Sequence, residues 1–203
     1  MATRPYKNQS REEAAAQTRA RIVEATLTLL REGAGPSFSL EDVAKAAGVT
    51  RLTVYNQLGS RRALLEAVFD DVAQRGGLHR IPQAMALENP HATLDALVSI
   101  FCDFWSIDHL PLARLHDAAA SDPEFTESLA SRHERRRMTM ATVVDRMVKQ
   151  GDIRARSATD LADMLFVLTS LPVYSQLVAK GRGTAPALKM IKAAVDDVVR
   201  RAG

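Results

Sequence analysis

The chain has 203 residues, of which 46% are apolar and 25% are charged, and its formal net charge is +3. This composition supports a folded core in one or two domains and excludes a disordered chain. No apolar run approaches the roughly 18 residues of a membrane-spanning helix, the N-terminus lacks the apolar segment of a signal peptide, and a single cysteine excludes an internal disulfide, so we expect a cytoplasmic protein with no membrane contact.

The N-terminal part of the chain predicts a basic arm followed by a helix. Residues 1–14 are polar and carry three basic side chains, which favours a flexible arm. The first helix is expected from about Ala15 to Glu32, with Ile22 and Leu29 on its apolar face. Gly33 marks its end, because glycine is the usual residue just past a helix C-terminus.

The segment 39–60, SLEDVAKAAGVTRLTVYNQLGS, predicts two short helices joined by a glycine turn. Ser39 and Asp42 have the spacing of a capping box, in which the two residues satisfy each other's backbone N–H groups. Gly48 can adopt the left-handed conformation that ends the first helix, and Thr50 can cap the second. This arrangement is the helix-turn-helix that places a helix in the DNA major groove.

The second of these helices has one apolar side, formed by Val54 and Leu58, and an outer side of polar and large side chains. A helix this short is not stable alone in water, so its neighbours must hold it. Between Asp42 and Glu66 no acidic residue occurs, whereas four basic residues do: Lys45, Arg51, Arg61 and Arg62. Positive charge beside such a motif is suited to phosphate neutralisation.

The remaining chain predicts longer helices and no strands, so the fold class is all-α with about nine helices. Asn89, Asp108 and Asp122 stand one to three residues before a proline, a spacing typical of helix starts. The fourth helix follows Ser60 and ends near Gly76. The last five are expected at about 90–106, 109–120, 123–150, 158–179 (bent at Pro172) and 185–201. We expect a DNA-binding domain over 15–76 and an effector-binding and dimerisation domain over 77–203.

Four segments between Thr18 and Val68 resemble the N-terminal domain of the TetR family of transcriptional regulators: TRARIVEATLTLL, SLEDVAKAAGVT, TVYNQLGS and RRALLEAV. The resemblance implies a homodimer whose recognition helices enter successive major grooves of a palindromic operator on double-stranded DNA. It also implies a small-molecule effector, bound in the C-terminal domain, that releases the DNA. Most members of this family are repressors.

The contacts with DNA divide by side-chain chemistry. Base edges in the major groove are read by Arg, amide and methyl-bearing side chains, and phosphates are held by basic residues and hydroxyls. The predicted base contacts are Arg51, Leu52, Thr53, Asn56 and Gln57. The predicted phosphate contacts are Lys45, Thr50, Tyr55 and Arg61. Packing of its ring inside the motif is an alternative, or an additional, role for Tyr55.

The predicted effector site is a set of aromatic residues with a few polar neighbours in the C-terminal domain. The candidates are Phe101, Trp105, Phe166 and Tyr174, with Asp108, His109 and His116 as polar contacts. The alternative for this aromatic set is ordinary core. The basic run 132–137, RHERRR, is expected on a solvated helix face or in a salt-bridged surface, not in a second DNA site.

The eighth predicted helix is apolar on more than one side, and the ninth carries apolar residues at coiled-coil spacing, which favours pairing of both with a second copy in a four-helix interface. The predicted interface residues are Leu161, Leu165, Leu168, Leu188, Ile191, Val195 and Val198. The alternative is that both are core helices of a monomer.

Other functions lack the sequence signatures they require. No P-loop, HExxH, GxSxG or CxxC motif occurs, so we expect neither an enzyme nor a cofactor. Cys102, His109 and His116 lie seven residues apart but do not have zinc-site spacing, so no metal is expected. Two alternatives to a ligand-released regulator remain: a DNA-binding dimer without small-molecule sensing, and a helical protein–protein adaptor.

Overall fold

The computed structural model describes residues 4–33, 38–179 and 181–203, with side chains from Arg11 onward. Every regular element within those ranges is helical, as predicted. The α-helices are α1 (Arg4–Glu32), α2 (Leu40–Ala47), α3 (Arg51–Leu58), α4 (Arg61–Arg75), α5 (Ile81–Met85), α6 (Pro90–Ile107), α7 (His109–Ala119), α8 (Pro123–Gln150), α9 (Ala158–Leu168), α10 (Leu171–Val178) and α11 (Thr184–Ala202). Short 3-10 turns at Leu78–Arg80 and Ala155–Ser157 precede α5 and α9.

The described ranges hold eleven α-helices rather than the nine predicted, for two reasons. The five-residue helix α5 is too short to show a periodic pattern in the sequence. The eighth predicted helix is divided into α9 and α10, whose axes meet at 47°. The break lies at Thr169 and Ser170, just before Pro172. Proline disrupts the interior of a helix but is tolerated in its first turn, so a new helix begins here and has Pro172 in that turn. The Ser170 hydroxyl caps α10 by accepting the Val173 N–H.

Helix α1 begins at Arg4 rather than near Ala15, so it covers most of the segment predicted as a flexible arm. Residues 12–16, EEAAA, are strong helix formers, which explains why the helix extends beyond its apolar stripe. Of the three basic side chains of the predicted arm, that of Arg11 is exposed, and those of Arg4 and Lys7 lie outside the described part.

The first of two compact units combines Met1–Asp71 with Leu110–Ser128. Within it α1, α2 and α3 pack around a fully buried core that includes Ile22, Leu27, Leu30, Val43, Val54 and Leu64. Arg114 on α7 donates hydrogen bonds to the Leu30 and Arg31 carbonyls at the C-terminal end of α1. These carbonyls have no partner inside their own helix, so Arg114 satisfies that end of α1.

The second unit combines Val72–His109 with Leu129–Gly203, so the predicted effector domain contributes residues to both units. Its core lies where α6 and α9 pack on α11, with α8 adding a buried stripe. Arg146 on α8 donates to the Met85, Leu87 and Glu88 carbonyls and fixes the segment between α5 and α6. Among the described residues no single helix is long and apolar enough to cross a membrane. Two bent pairs of helices, α6 with α7 and the segment 155–168 with α10, reach that length and apolar composition only when each pair is taken together.

Candidate functional site

The first helix of the predicted helix-turn-helix is held by the capping box that the sequence indicates. The Asp42 carboxylate accepts the Ser39 N–H at 2.8 Å, and the Ser39 hydroxyl accepts the Asp42 N–H at 3.2 Å. The Ser39 hydroxyl also donates to the Asp42 carboxylate, at 2.8 Å, and the two hydrogen bonds that this carboxylate accepts from Ser39 hold the pKa of Asp42 below its usual value. Gly48 ends α2 in the left-handed conformation, at φ 63° and ψ 38°. The predictions for all three residues are confirmed.

The second helix, α3, is anchored at both ends and along one side. Thr50 caps its start by accepting the Thr53 N–H at 3.1 Å, and Val54 and Leu58 are buried. At its other end Arg19 of α1 donates a hydrogen bond of 2.8 Å to the Gln57 carbonyl. The anchors fix both the axis and the rotation of α3, which determines the side chains it presents.

The hydroxyls of Thr50 and Thr53 form one polar pair, with their oxygens 2.9 Å apart. One of the two hydroxyl hydrogens lies between them, so one remains available to an outside acceptor. Because the Thr50 oxygen already accepts the Thr53 N–H, a second bond from the Thr53 hydroxyl would occupy both of its lone pairs. In that arrangement the Thr50 hydroxyl hydrogen is free to point outward, as its predicted phosphate contact requires.

The outer face of α3 presents four exposed side chains, at positions that lie together on a helix: Arg51, Leu52, Tyr55 and Asn56. Leu52 is 66% exposed and Tyr55 is 59% exposed, both unusual for large apolar groups. The ring of Tyr55 is therefore not packed in the motif. Thr53 and Gln57 are half-buried at the edges of this face.

The basic residues around α3 differ in what they contact. Lys45 and Arg51 are exposed, and within the described part of the chain neither forms an ion pair. Arg61 lies 3.6 Å from the Asp122 carboxylate and 5.2 Å from the centre of the Phe38 ring. A phosphate contact by Arg61 would therefore compete with Asp122, a carboxylate 61 residues away that no local pattern indicates.

The predicted effector residues of the second unit occupy its core. Phe101, Trp105 and Tyr174 are at most 4% exposed, and Phe166 is half-buried. The Trp105 indole N–H donates to the Thr169 carbonyl at 2.9 Å. His109 lies edge-on to Tyr174 with 6.4 Å between ring centres.

The other two polar candidates are engaged elsewhere. The carboxylate of Asp108, which follows α6 directly, lies 3.6 Å from the Arg75 guanidinium. His116 belongs to the first unit, where its Nδ1 is hydrogen-bonded to the Leu112 carbonyl at 2.8 Å. His116 was grouped with the aromatic residues on sequence distance alone, and the compact units divide it from them.

One buried cation in this core was wrongly predicted on a solvated face. Arg136 is only 9% exposed, and its Nη1 donates to the Phe166 carbonyl at 2.7 Å and to the Thr169 hydroxyl at 2.9 Å. The guanidinium carbon lies 3.9 Å from the centre of the Phe166 ring. A sequence signal existed, because Arg136 lies seven residues after Leu129 and seven before Val143, on the buried stripe of α8.

The hydrogen bonds of Arg136 leave much of its guanidinium unsatisfied. Of the five N–H donors of a guanidinium, the three on Nε and Nη2 form no hydrogen bond with any described residue. These nitrogens are not fully enclosed, so their N–H groups keep some contact with solvent and are open to an outside acceptor. The cation–π contact with Phe166 holds the guanidinium from its other side.

Cys102 has no feature of a reactive thiol. It is 1% exposed, and burial, with a smaller contribution from Asp103, raises its pKa to about 11. A thiol with this pKa is protonated at neutral pH and is a poor nucleophile or metal ligand. Over the described ranges, no three His, Cys, Asp or Glu side chains are grouped so that they could hold a metal ion.

Helix caps, turn and exposed face together define a helix-turn-helix protein with a further helical unit. Residues 22–68 match the family model of bacterial regulatory proteins, tetR family, which confirms the resemblance seen in the sequence. Over these residues the chain is similar to the N-terminal DNA-binding domain of that family.

Individual relatives are similar over different parts of the chain. The HTH-type transcriptional regulator AlkX of Mycobacterium tuberculosis is 35% identical over 97 residues, which are 48% of this chain and 39% of the relative. The chain thus spans about two fifths of the length of that relative. A TetR transcription regulator from Haloarcula marismortui has a TM-score of 0.73 at 16% identity, covering 92% of this chain and 98% of the other. PfmR, a TetR family regulator from Thermus thermophilus, has a TM-score of 0.68 at 16% identity, covering 89% and 94%. These structures share the fold.

Proposed function

We propose that this protein is a sequence-specific DNA-binding transcriptional regulator that places α3 in the major groove. The observation that carries the proposal is the exposed face of α3, where a leucine and a tyrosine are more than half exposed beside an arginine that forms no ion pair with any described residue. Large apolar side chains exposed beside unpaired positive charge are suited to base edges and phosphates. The family match over 22–68 supports the same function.

The contacts on DNA follow from exposure and chemistry. Arg51 and Asn56 are the exposed hydrogen-bonding side chains of α3, suited to guanine and adenine edges respectively, and Leu52 to a thymine methyl. Thr53 and Gln57 contact the flanking bases. The phosphate contacts are Lys45, Thr50, Tyr55 and Arg61, with Arg61 exchanging Asp122 for a phosphate.

The protein acts as a homodimer on a palindromic operator, through α9 and α11. Four of the predicted interface residues, Leu161, Leu165, Ile191 and Val195, are at most 3% exposed and pack inside the protomer. Exposed apolar surface on these two helices is provided instead by Met164, Val167 and Met190, which are 44–49% exposed. The half-buried Leu168, Leu188 and Val198 complete the revised interface.

A small molecule bound in the second unit releases the DNA, and release ends repression. The aromatic residues Phe101, Trp105 and Tyr174, with polar groups at the break between α9 and α10, support an effector that is partly apolar. The division of the chain into a DNA-reading unit and a second unit with its own core fits this separation of roles.

The test compares two arginine variants on an operator selected from random duplex DNA. Arg51→Ala should weaken binding to that operator by about 1–3 kcal/mol and relax the preference at one position of each half-site. Arg135→Ala removes an equal charge from an exposed position in the second unit and should leave affinity unchanged. Equal affinities and preferences for wild type and Arg51→Ala, measured by fluorescence anisotropy, would remove Arg51 from base reading.

A further inference from the structure

We propose that Arg136 is the anchor for a carboxylate on the effector, whose apolar part packs against Phe101, Phe166 and Trp105. The inference rests on the proposed ligand-released regulator and specifies the chemical class of its ligand: a monoanion with an aromatic or aliphatic body.

The residues around Arg136 form one continuous cluster inside the second unit. The Arg136 guanidinium carbon lies 3.9 Å from the centre of the Phe166 ring and 5.8 Å from that of Phe101. Thr169 joins it to Trp105, since its hydroxyl accepts the Arg136 Nη1–H and its carbonyl accepts the indole N–H. A charged donor and three aromatic side chains therefore converge from α6, α8 and α9.

No carboxylate of the described chain balances this charge. The nearby acids Asp163 and Glu134 pair with Arg137, whose guanidinium carbon lies 4.5 Å from the centre of the same Phe166 ring. Arg136 itself forms no ion pair with any described residue. Burial, with a smaller effect of Arg137, lowers the pKa of Arg136 to about 10, so the group stays cationic at neutral pH.

The chemistry of the free donors identifies the group that fits. The Nε–H and the Nη2–H groups lie side by side in the plane of a guanidinium and match the two oxygens of a carboxylate. Such a pair would satisfy the donors that the protein leaves open. An acidic side chain of a second copy is a poorer occupant, because it would have to reach a side chain nine-tenths buried within one protomer.

The position of the cluster connects ligand binding to a change in helix packing. Thr169 follows the last residue of α9 and precedes Ser170, the cap of α10. A carboxylate that draws the Arg136 guanidinium toward itself loosens the contact with the Thr169 hydroxyl. The α9–α10 break is then the element on which the ligand acts.

Trp105 is the one tryptophan of the chain, so its fluorescence reports on this cluster directly. The probes are 4-phenylbutyrate and octanoate, each compared with its primary amide of the same shape and no charge. We expect at least one carboxylate to change Trp105 emission saturably, with an affinity about tenfold or more above that of its amide.

Three variants connect the preference to the side chain. Arg136→Gln should remove the preference of carboxylate over amide, and Arg136→Lys should retain part of it. Arg135→Gln removes the same charge from the exposed position next to it and should behave as wild type. Circular dichroism and thermal unfolding establish that each variant is folded.

The proposal is overturned if neither carboxylate binds at millimolar concentration, if amide and carboxylate bind equally, or if folded Arg136→Gln keeps the preference. The DNA selection with wild-type protein is a separate measurement. If an operator is enriched and any of these three results is obtained, the proposed DNA-binding function is retained and Arg136 is rejected as the carboxylate site.

Discussion

Gly76 follows the last residue of α4, where the chain passes so close to α6 that a side chain does not fit. A Cβ atom built on Gly76 would lie 2.8 Å from the Phe104 Cα, 2.8 Å from its Cδ2 and 3.0 Å from the Val72 carbonyl oxygen. The Phe104 ring can turn, but its Cα belongs to the backbone of α6 and cannot move alone. Gly76→Ala should therefore strain the close approach of residue 76 to Phe104 of α6, both of which lie in the second unit.

The expected cost is that of an overpacked core, about 1–3 kcal/mol. For a chain of this length each kcal/mol lowers the melting temperature by about 2–4 °C, so Gly76→Ala should unfold about 2–12 °C below wild type. Thermal unfolding followed by circular dichroism measures this shift.

Gly183→Ala is the matched control for this substitution. A Cβ there meets only the Pro186 Cδ, at 3.8 Å, and the φ of −69° is one that alanine adopts freely. Its melting temperature should stay close to that of wild type. A Gly76→Ala protein as stable as the Gly183→Ala protein would refute the close approach of Gly76 to α6.

Three further predictions concern DNA binding, pH and assembly. Lys45→Ala should reduce the slope of log affinity against log salt by about one and leave the sequence preference unchanged, as titrations at several salt concentrations would reveal. Because the Ser39 hydrogen bonds lower the pKa of Asp42, the ionised Asp42 carboxylate stabilises the folded protein. This stabilisation is complete above the usual pKa of an aspartate and is lost as the pH falls through the lowered pKa of the folded state. Asp42→Asn should therefore show a smaller fall in unfolding free energy on acidification than wild type, and an equal fall would contradict the capping role. Met164→Asp, in the exposed apolar surface of α9, should shift the protein from dimer to monomer in light scattering, whereas an unchanged mass would exclude that surface.

Local chemistry made the helix-turn-helix predictable from the sequence. The Ser39 and Asp42 hydrogen bonds, the left-handed Gly48 and the Thr50 cap each involve residues within four positions of one another. A capping box or a glycine turn needs no distant partner, so the sequence carries it completely. The caps at Asn89 and Asp122 were predictable for the same reason.

Errors in the prediction arose where a side chain's surroundings depend on distant parts of the chain. Arg136 lies in the core among residues more than 30 positions away in either direction. The pairing of Arg61 with Asp122 is also invisible to any local pattern, whereas the phosphate contact of Arg61 stays a prediction. A charged residue is predicted on the surface by default, and only the packing of α6 and α9 on α8 reverses this for Arg136.

The predicted interface residues show that the surroundings of apolar side chains also depend on distant parts of the chain. Helices α9 and α11 are apolar on more than one side, and the sequence does not say which side packs on the other helix. Leu165 and Ile191 face the protomer core, whereas Met164 and Met190, each next in sequence to one of them, face outward. A helix turns by about 100° per residue, so one position separates core from surface.

The most direct test of the DNA-binding function is selection of bound sequences from random duplex DNA, with purified full-length protein at a stated salt concentration. The proposed homodimer predicts an enriched motif of two inverted half-sites whose centres lie about one helical turn, or a multiple of it, apart. Folded, dimeric and ligand-free protein that enriches no motif would contradict sequence-specific regulation through α3.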